Sequence, residues 1–283
     1  MRVCQIVVAI LAAAAFSPAE SVAESFSELV MHGSVHQVEA ALRAGANIED
    51  RDANERTPLM FAASYNSDPR VVTTLLKAGA QIDDRDNRYW TSLMFAAAYN
   101  SNPDVTVALL KAGAKLGDRD KAGRTVVMCS GLNANVRVIS VLLKAGASVN
   151  DKTSDGATLL MGTVEHNPNP EVVSFLLDAG AVLEALDNYG QTSLMHAAGA
   201  NPNPEVISIL LKHGAKIENR DKQGRTALMF AAQYTKNPKV LSVLLKAGAS
   251  REPKSSSGKT AYDYGIMNPI LTGTRQLQEL KGT

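Results

Sequence analysis

Between residues 57 and 80 the apolar positions fall into two short clusters. Leu59-Met60-Phe61-Ala62-Ala63 follows Thr57-Pro58, a pair suited to open a helix as N-cap and first-turn proline. Val71-Val72-Thr73-Thr74-Leu75-Leu76-Lys77 spaces its apolar residues for one face of a second helix, and Asp68-Pro69 opens it in the same way. Between the two, Asn66 reads as a left-handed stop, and Gly79 supplies the turn after the second helix. Ile82-Asp83-Asp84-Arg85-Asp86 then runs through polar residues toward the next threonine, as a projecting hairpin loop would.

The same pattern returns along the chain. A Gly-Ala pair recurs with its glycine at Gly45, Gly79, Gly113, Gly146, Gly180, Gly214 and Gly248, in steps of 34, 34, 33, 34, 34 and 34 residues. A threonine stands 12 residues after each: Thr57, Thr91, Thr125, Thr158, Thr192, Thr226 and Thr260. Six of the nine methionines lie three residues beyond such a threonine, so the register is not accidental. The Asp68-Pro69 corner is echoed by Asn102-Pro103, Asn169-Pro170, Asn203-Pro204 and Asn237-Pro238. A fixed period of this size marks a stack of units that bury their apolar faces against one another.

Helix, turn, helix, Gly-Ala and loop at this period resemble the ankyrin repeat. Thr57-Pro58-Leu59-Met60-Phe61-Ala62-Ala63 is similar to that family's T-P-L-H-x-A-A signature, and Leu75-Leu76-Lys77-Ala78-Gly79-Ala80 to its L-L-x-x-G-A. The resemblance implies an all-α solenoid of stacked helix–turn–helix units with projecting hairpin loops. It places an N-terminal cap over residues 24–56, repeats starting at 57, 91, 125, 158, 192 and 226, and a C-terminal cap over 258–283. Two departures matter. Methionine replaces the signature histidine in six units, and Asp263 replaces it in the last, which shifts the expected cohesion between units toward van der Waals contact. The unit containing Leu132-Asn133-Ala134-Asn135-Val136 is one residue short and lacks the proline, so regularity should be poorest around residues 129–137.

The first 23 residues read differently. Arg2 precedes the apolar run Val3–Phe16, and small residues follow at Ser17-Pro18-Ala19 and Ser21-Val22-Ala23. This is the layout of a cleaved secretory signal, with cleavage expected after Ala23 in preference to Ala19. The run is shorter than the roughly 20 apolar residues of a membrane span, and no later segment is long and apolar enough for one. Removing it deletes Arg2, Glu20 and Cys4, leaving Cys129 as a lone thiol in a periplasmic or secreted protein.

Lys+Arg 29 against Asp+Glu 28 gives a formal charge of +1, which lacks the broad basic field of a nucleic-acid binder. Candidate chemistry is sparse. Ser255-Ser256-Ser257-Gly258-Lys259-Thr260 ends like a phosphate-binding loop, but Pro253 stands where its first glycine belongs. The Asp-rich stretches Asp50-Arg51-Asp52, Asp83-Asp84-Arg85-Asp86 and Asp118-Arg119-Asp120 alternate with arginine, so pairing among themselves accounts for them better than calcium. His32, His36, His166, His196 and His213 form no metal-ligand spacing, and Cys129 takes the place of Phe61, Phe95 and Phe230 in sister units, a packed position. No cofactor or catalytic residue is expected.

What remains is surface. The residue before each signature threonine, among them Arg56, Trp90, Arg124 and Arg225, lies on the concave binding side in the family this chain resembles. Tyr65, Tyr99 and Tyr234 end the first helices, where the family also places partner contacts, and Arg88 and Tyr89 precede Trp90. Trp, Tyr and Arg are the residues enriched at interface hot spots. These nine residues are therefore the candidate partner-binding set, with Arg56, Tyr65, Trp90, Tyr99 and Arg124 expected as one patch and Trp90 as an exposed finger-tip side chain. The expected function is non-enzymatic binding of another protein by an exported monomer. That partner would be an exported enzyme that it protects, matures or inhibits, or a host protein. End-to-end structural stacking is the alternative, and a small-molecule sensor or enzyme ranks last.

Overall fold

The computed structural model describes residues 25–281, so the expected signal segment lies outside the described residues. Among them are sixteen α-helices and no strand, in an all-α repeat solenoid. The helices come in pairs. The first is α1 (Phe26–His32) with α2 (Val35–Arg43), followed by α3 (Pro58–Tyr65) with α4 (Pro69–Lys77) and α5 (Ser92–Tyr99) with α6 (Pro103–Lys111). Next come α7 (Val126–Cys129) with α8 (Val136–Lys144), α9 (Leu159–His166) with α10 (Pro170–Asp178), and α11 (Ser193–Ala200) with α12 (Pro204–Lys212). The series ends with α13 (Ala227–Tyr234) and α14 (Lys239–Lys246), then α15 (Ala261–Gly265) and α16 (Arg275–Lys281). In the short unit, α7 gives way to a 3-10 turn at Ser130–Leu132, which is the irregularity expected there.

Alanine sets how closely several of the first helices pack. Ala62, Ala63, Ala96, Ala97, Ala197, Ala198, Ala231 and Ala232 are fully buried on α3, α5, α11 and α13. Such small side chains let α3 pack closely on α5 and α11 on α13. Each second helix buries one apolar stripe, such as Val71, Val72 and Leu75 in α4, and turns its charged face outward. At the C-terminal end α16 closes the core with Leu277 and Leu280.

Units are joined by three rows of hydrogen bonds, donated by asparagines and loop backbone rather than from the methionine positions that shift cohesion toward van der Waals contact. Asn66, read as a left-handed stop, is in extended conformation (φ −81°) and buried. Its Nδ2 donates to the carbonyls of Val30 and Gly33 in the preceding unit, both at 3.0 Å. Asn100 donates likewise to Ala63 (3.0 Å) and to the Asn66 carbonyl (2.8 Å), and Asn133, Asn167 and Asn201 continue the series. A second row runs outside the first: Asn102, Asn135, Asn169, Asn203 and Asn237 donate to the carbonyls of Ser67, Ser101, Ala134, Pro168 and Pro202. The corner asparagines thus supply amides that a side chain without a donor could not replace, in the short unit as well as in the others. The third row is backbone to backbone along the loops, for example Lys121 N–H to Arg88 O at 3.1 Å and Lys222 N–H to Tyr189 O at 3.0 Å.

All seven signature threonines stand at the N-cap, Thr57 as expected; Thr91, Thr158, Thr192 and Thr260 also accept a backbone N–H on the side chain, whereas Thr57, Thr125 and Thr226 do not. The loop turns are held by Asp52, Asp86, Asp120, Asp187 and Asp221, whose carboxylates each accept the backbone N–H groups two and four residues on. That turn needs a left-handed residue. Gly123, Gly156, Gly190, Gly224 and Gly258 supply it in five units, while Glu55 (φ 64°) and Tyr89 (φ 68°) hold it at a steric cost. Glu55→Gly should therefore raise stability by about 0.5–1 kcal/mol after the flexibility cost of glycine. An unchanged or lower denaturation midpoint would refute this.

Candidate functional site

The inner face of the curve is built by the first helices and the loops above them. Near the ends of α3, α5 and α13, Tyr65, Tyr99 and Tyr234 are each about half exposed. One turn earlier sits a phenylalanine under an arginine: Arg56 lies 4.6 Å over the Phe61 ring and Arg225 4.3 Å over Phe230. Each arginine is also tied to the aspartate at the base of its own loop, Arg56 to Asp52 (2.7 Å), Arg124 to Asp120 (2.7 Å) and Arg225 to Asp221 (2.8 Å). The acidic stretches thus pair with arginine as their alternation suggested, within a loop here and between loops at Arg51–Asp84 and Arg85–Asp118. Arg88, beside Asp86, stays half exposed, and so does Tyr89, whose ring lies 5.0 Å from the Lys121 ammonium.

Trp90 is not where the sequence put it. Only 1% of it is exposed, which corrects the expectation of a finger-tip side chain. The indole turns back under its own loop, donates Nε1–H to Asp120 Oδ2 of the next unit at 3.0 Å, stacks on Tyr99 and meets the edge of Phe95. Arg88 and Arg124 lie over it at 4.8 and 5.4 Å. Trp90, Tyr99 and Arg124 do come together, but the tryptophan is the support and the tyrosine the surface. Arg56 sits on Phe61 of its own unit.

The middle of the face differs from its shoulders. Where other units carry Phe and Tyr, the three central ones have Cys129 and Leu132, Gly162 and His166, and His196 and Ala200. Removing those rings leaves a recess of ≈ 300 Å3 between the units that start at 125 and 158, lined by Met128, Cys129, Leu132, Leu159 and Gly162, with Arg124, Asp155 and His166 also lining it. Burial pushes the Cys129 thiol up to about 12, so it holds almost no thiolate near neutral pH. The sequence signal was the loss of Phe at one register position. Its meaning as a cavity needed two neighbouring units to lose it together.

Beside the recess His196 is held on both ring nitrogens, Nδ1 3.4 Å from Glu165 Oε2 and Nε2 3.1 Å from Asp187 Oδ2. Burial pulls the imidazole pKa down, but the hydrogen bonds it donates to Glu165 and Asp187, and their charges, outweigh it, leaving the pKa raised above 6.5. The His196 hydrogen bond lowers Glu165 below its ordinary 4.5 against the opposing effect of burial, with His166 adding a favourable charge and Asp155 an unfavourable one. The histidine's contribution to stability is therefore full below pH 6.5 and lost as pH rises through its raised pKa. The glutamate's is present above pH 4.5 and lost as pH falls through its lowered pKa. Subtracting His196→Gln from the parent should give a stability difference that is larger at about pH 5.5 than at about pH 8.5. Equal differences in urea titrations at both pH values would refute the linkage. With both nitrogens engaged, this imidazole is placed to hold charge across two units rather than to take a proton from a substrate.

No group of three or more His, Cys, Asp and Glu among the described residues is arranged to hold a metal, and no helix there is long and apolar enough to cross a membrane. No curated protein matches the chain. The family model for ankyrin repeats matches it in three overlapping copies, over residues 26–120, 93–187 and 160–255.

Proposed function

Because the chain belongs to the ankyrin-repeat family, whose repeats are generally protein–protein interaction modules, we propose that it is an exported, non-enzymatic protein that binds another protein across its concave face. The observation that carries this reading is the row of half-exposed tyrosines, Tyr65, Tyr99 and Tyr234, on helices locked to one another by hydrogen bonds. A large amphipathic side chain already fixed in place loses little entropy when it is covered. Export rests on the charge, apolar run and small residues of the first 23 positions. The partner is then an exported enzyme that this protein protects, matures or inhibits, or a host protein met outside the cell. Binding as a monomer is favoured over end-to-end stacking, because α16 covers the apolar face of the last unit.

Two measurements test this. N-terminal sequencing of the exported protein should begin near Glu24; a chain starting at Met1 would overturn export. Capture of partners from the exported fraction, identified by mass spectrometry, supplies the ligand for the second. Tyr65→Ala combined with Tyr99→Ala should weaken it by more than about tenfold. Undiminished affinity would move the interface off this face.

A further inference from the structure

Of the cavities and clusters on the molecule, the central recess carries the most, because its sister units show what fits it. At the corresponding position in three other units a phenyl ring fills the space, and in two of them the arginine before the signature threonine lies over that ring at 4.3 and 4.6 Å. Arg124 is the arginine of that position in the unit starting at 125, yet its unit supplies Cys129 in place of the ring. The next unit supplies Gly162, where an added Cβ would meet nothing within 4 Å. What is left is a slot with an apolar floor, two sulfur-bearing side chains, the His166 imidazole and an arginine that reaches toward Trp90 at 5.4 Å, but no phenyl ring of its own unit. Guanidinium groups and sulfur both favour contact with an aromatic ring over an aliphatic chain. At ≈ 300 Å3 the slot lies at the bottom of the range, about 300–1,000 Å3, over which ligand pockets extend, and so suits one side chain.

We propose that this recess is an anchor pocket that receives one aromatic side chain of the polypeptide bound on the concave face. The proposal rests on the concave-face reading above. The incoming ring takes the place that Phe61 and Phe230 occupy in their own units, under Arg124 and beside Met128 and Leu159. The exposed tyrosines on either side, Tyr99 and Tyr234, then flank the segment that carries it.

The test uses protein labelled with 13C at the methionine methyl groups and N-acetyl-L-phenylalaninamide as the probe, with N-acetyl-L-alaninamide as control. The aromatic probe should shift the Met128 methyl resonance saturably, the alanine probe should not, and Gly162→Phe should abolish the shift by filling the slot from within. The same variant should weaken the captured partner by about tenfold or more. The absence of a Met128 shift in the parent protein, or an equal shift with the alanine probe, would overturn the proposal. So would tighter binding of free p-cresol than of the blocked residue, which would make the recess a small-molecule site. If the probe fails while the tyrosine variants still lose the partner, the anchor is wrong and the face is right. If Gly162→Phe loses the partner while the tyrosine variants keep it, the recess stands and the tyrosine row does not.

Discussion

Trp90→Ala should lower stability by about 3–5 kcal/mol, the range for emptying a large aromatic site in a packed core. The indole is 1% exposed and touches two units at once, its ring on Phe95 and Tyr99 and its N–H on Asp120. Truncation removes those contacts and takes one donor from a buried carboxylate, although the Ala122 and Arg124 backbone N–H groups remain on it. Trp90→Phe should recover only part of the loss, since it keeps a smaller ring and forfeits the hydrogen bond, worth about 1.5–3 kcal/mol when made to a charged group. Thermal melts of the two variants against the parent decide it. A Trp90→Ala protein that melts with the parent would return this residue to the surface.

Asn100→Ala should cost roughly 2–4 kcal/mol, far more than a surface substitution. Its amide serves two carbonyls of the preceding unit, at 3.0 and 2.8 Å, and its Oδ1 accepts the Asn102 N–H at 2.9 Å. Alanine leaves three backbone groups to find other partners in a site where the residue is only 3% exposed. The loss should fall on the junction between units, so amide exchange should quicken in α3 and α5 together rather than in α5 alone. Exchange confined to one helix, or a melting temperature within error of the parent, would count against the row as a structural bond.

Much of this was legible from spacing alone. The helix pairs around Thr57, Thr91 and Thr192 follow from where apolar residues, Pro and Gly fall, because those choices act locally. What spacing could not convey was how a side chain behaves once a second unit lies against it. Asn66 reads as a turn former by itself and becomes a cross-link only when Val30 and Gly33 present carbonyls to it. Trp90 occupies an arginine's position, but a flat ring with a single donor folds under the loop where a guanidinium stays on top. Tyr65, Tyr99 and Tyr234 were placed on the surface correctly, for the opposite reason: nothing in the next unit reaches over them.

The inner asparagine row is interrupted once. Thr235 stands where an asparagine would be, and its hydroxyl turns onto the backbone of Asn237, accepting from N–H at 3.1 Å and donating to O at 3.0 Å. In a stack held unit by unit, each junction adds its own interface contribution. This one divides the molecule unequally, with a long body before it and a short piece after it that carries Tyr234. A polypeptide lying along the face from Tyr99 to Tyr234 would cross the interruption and act as a splint. It would add to the outer bond, from Asn237 to the Pro202 carbonyl, that already spans this junction.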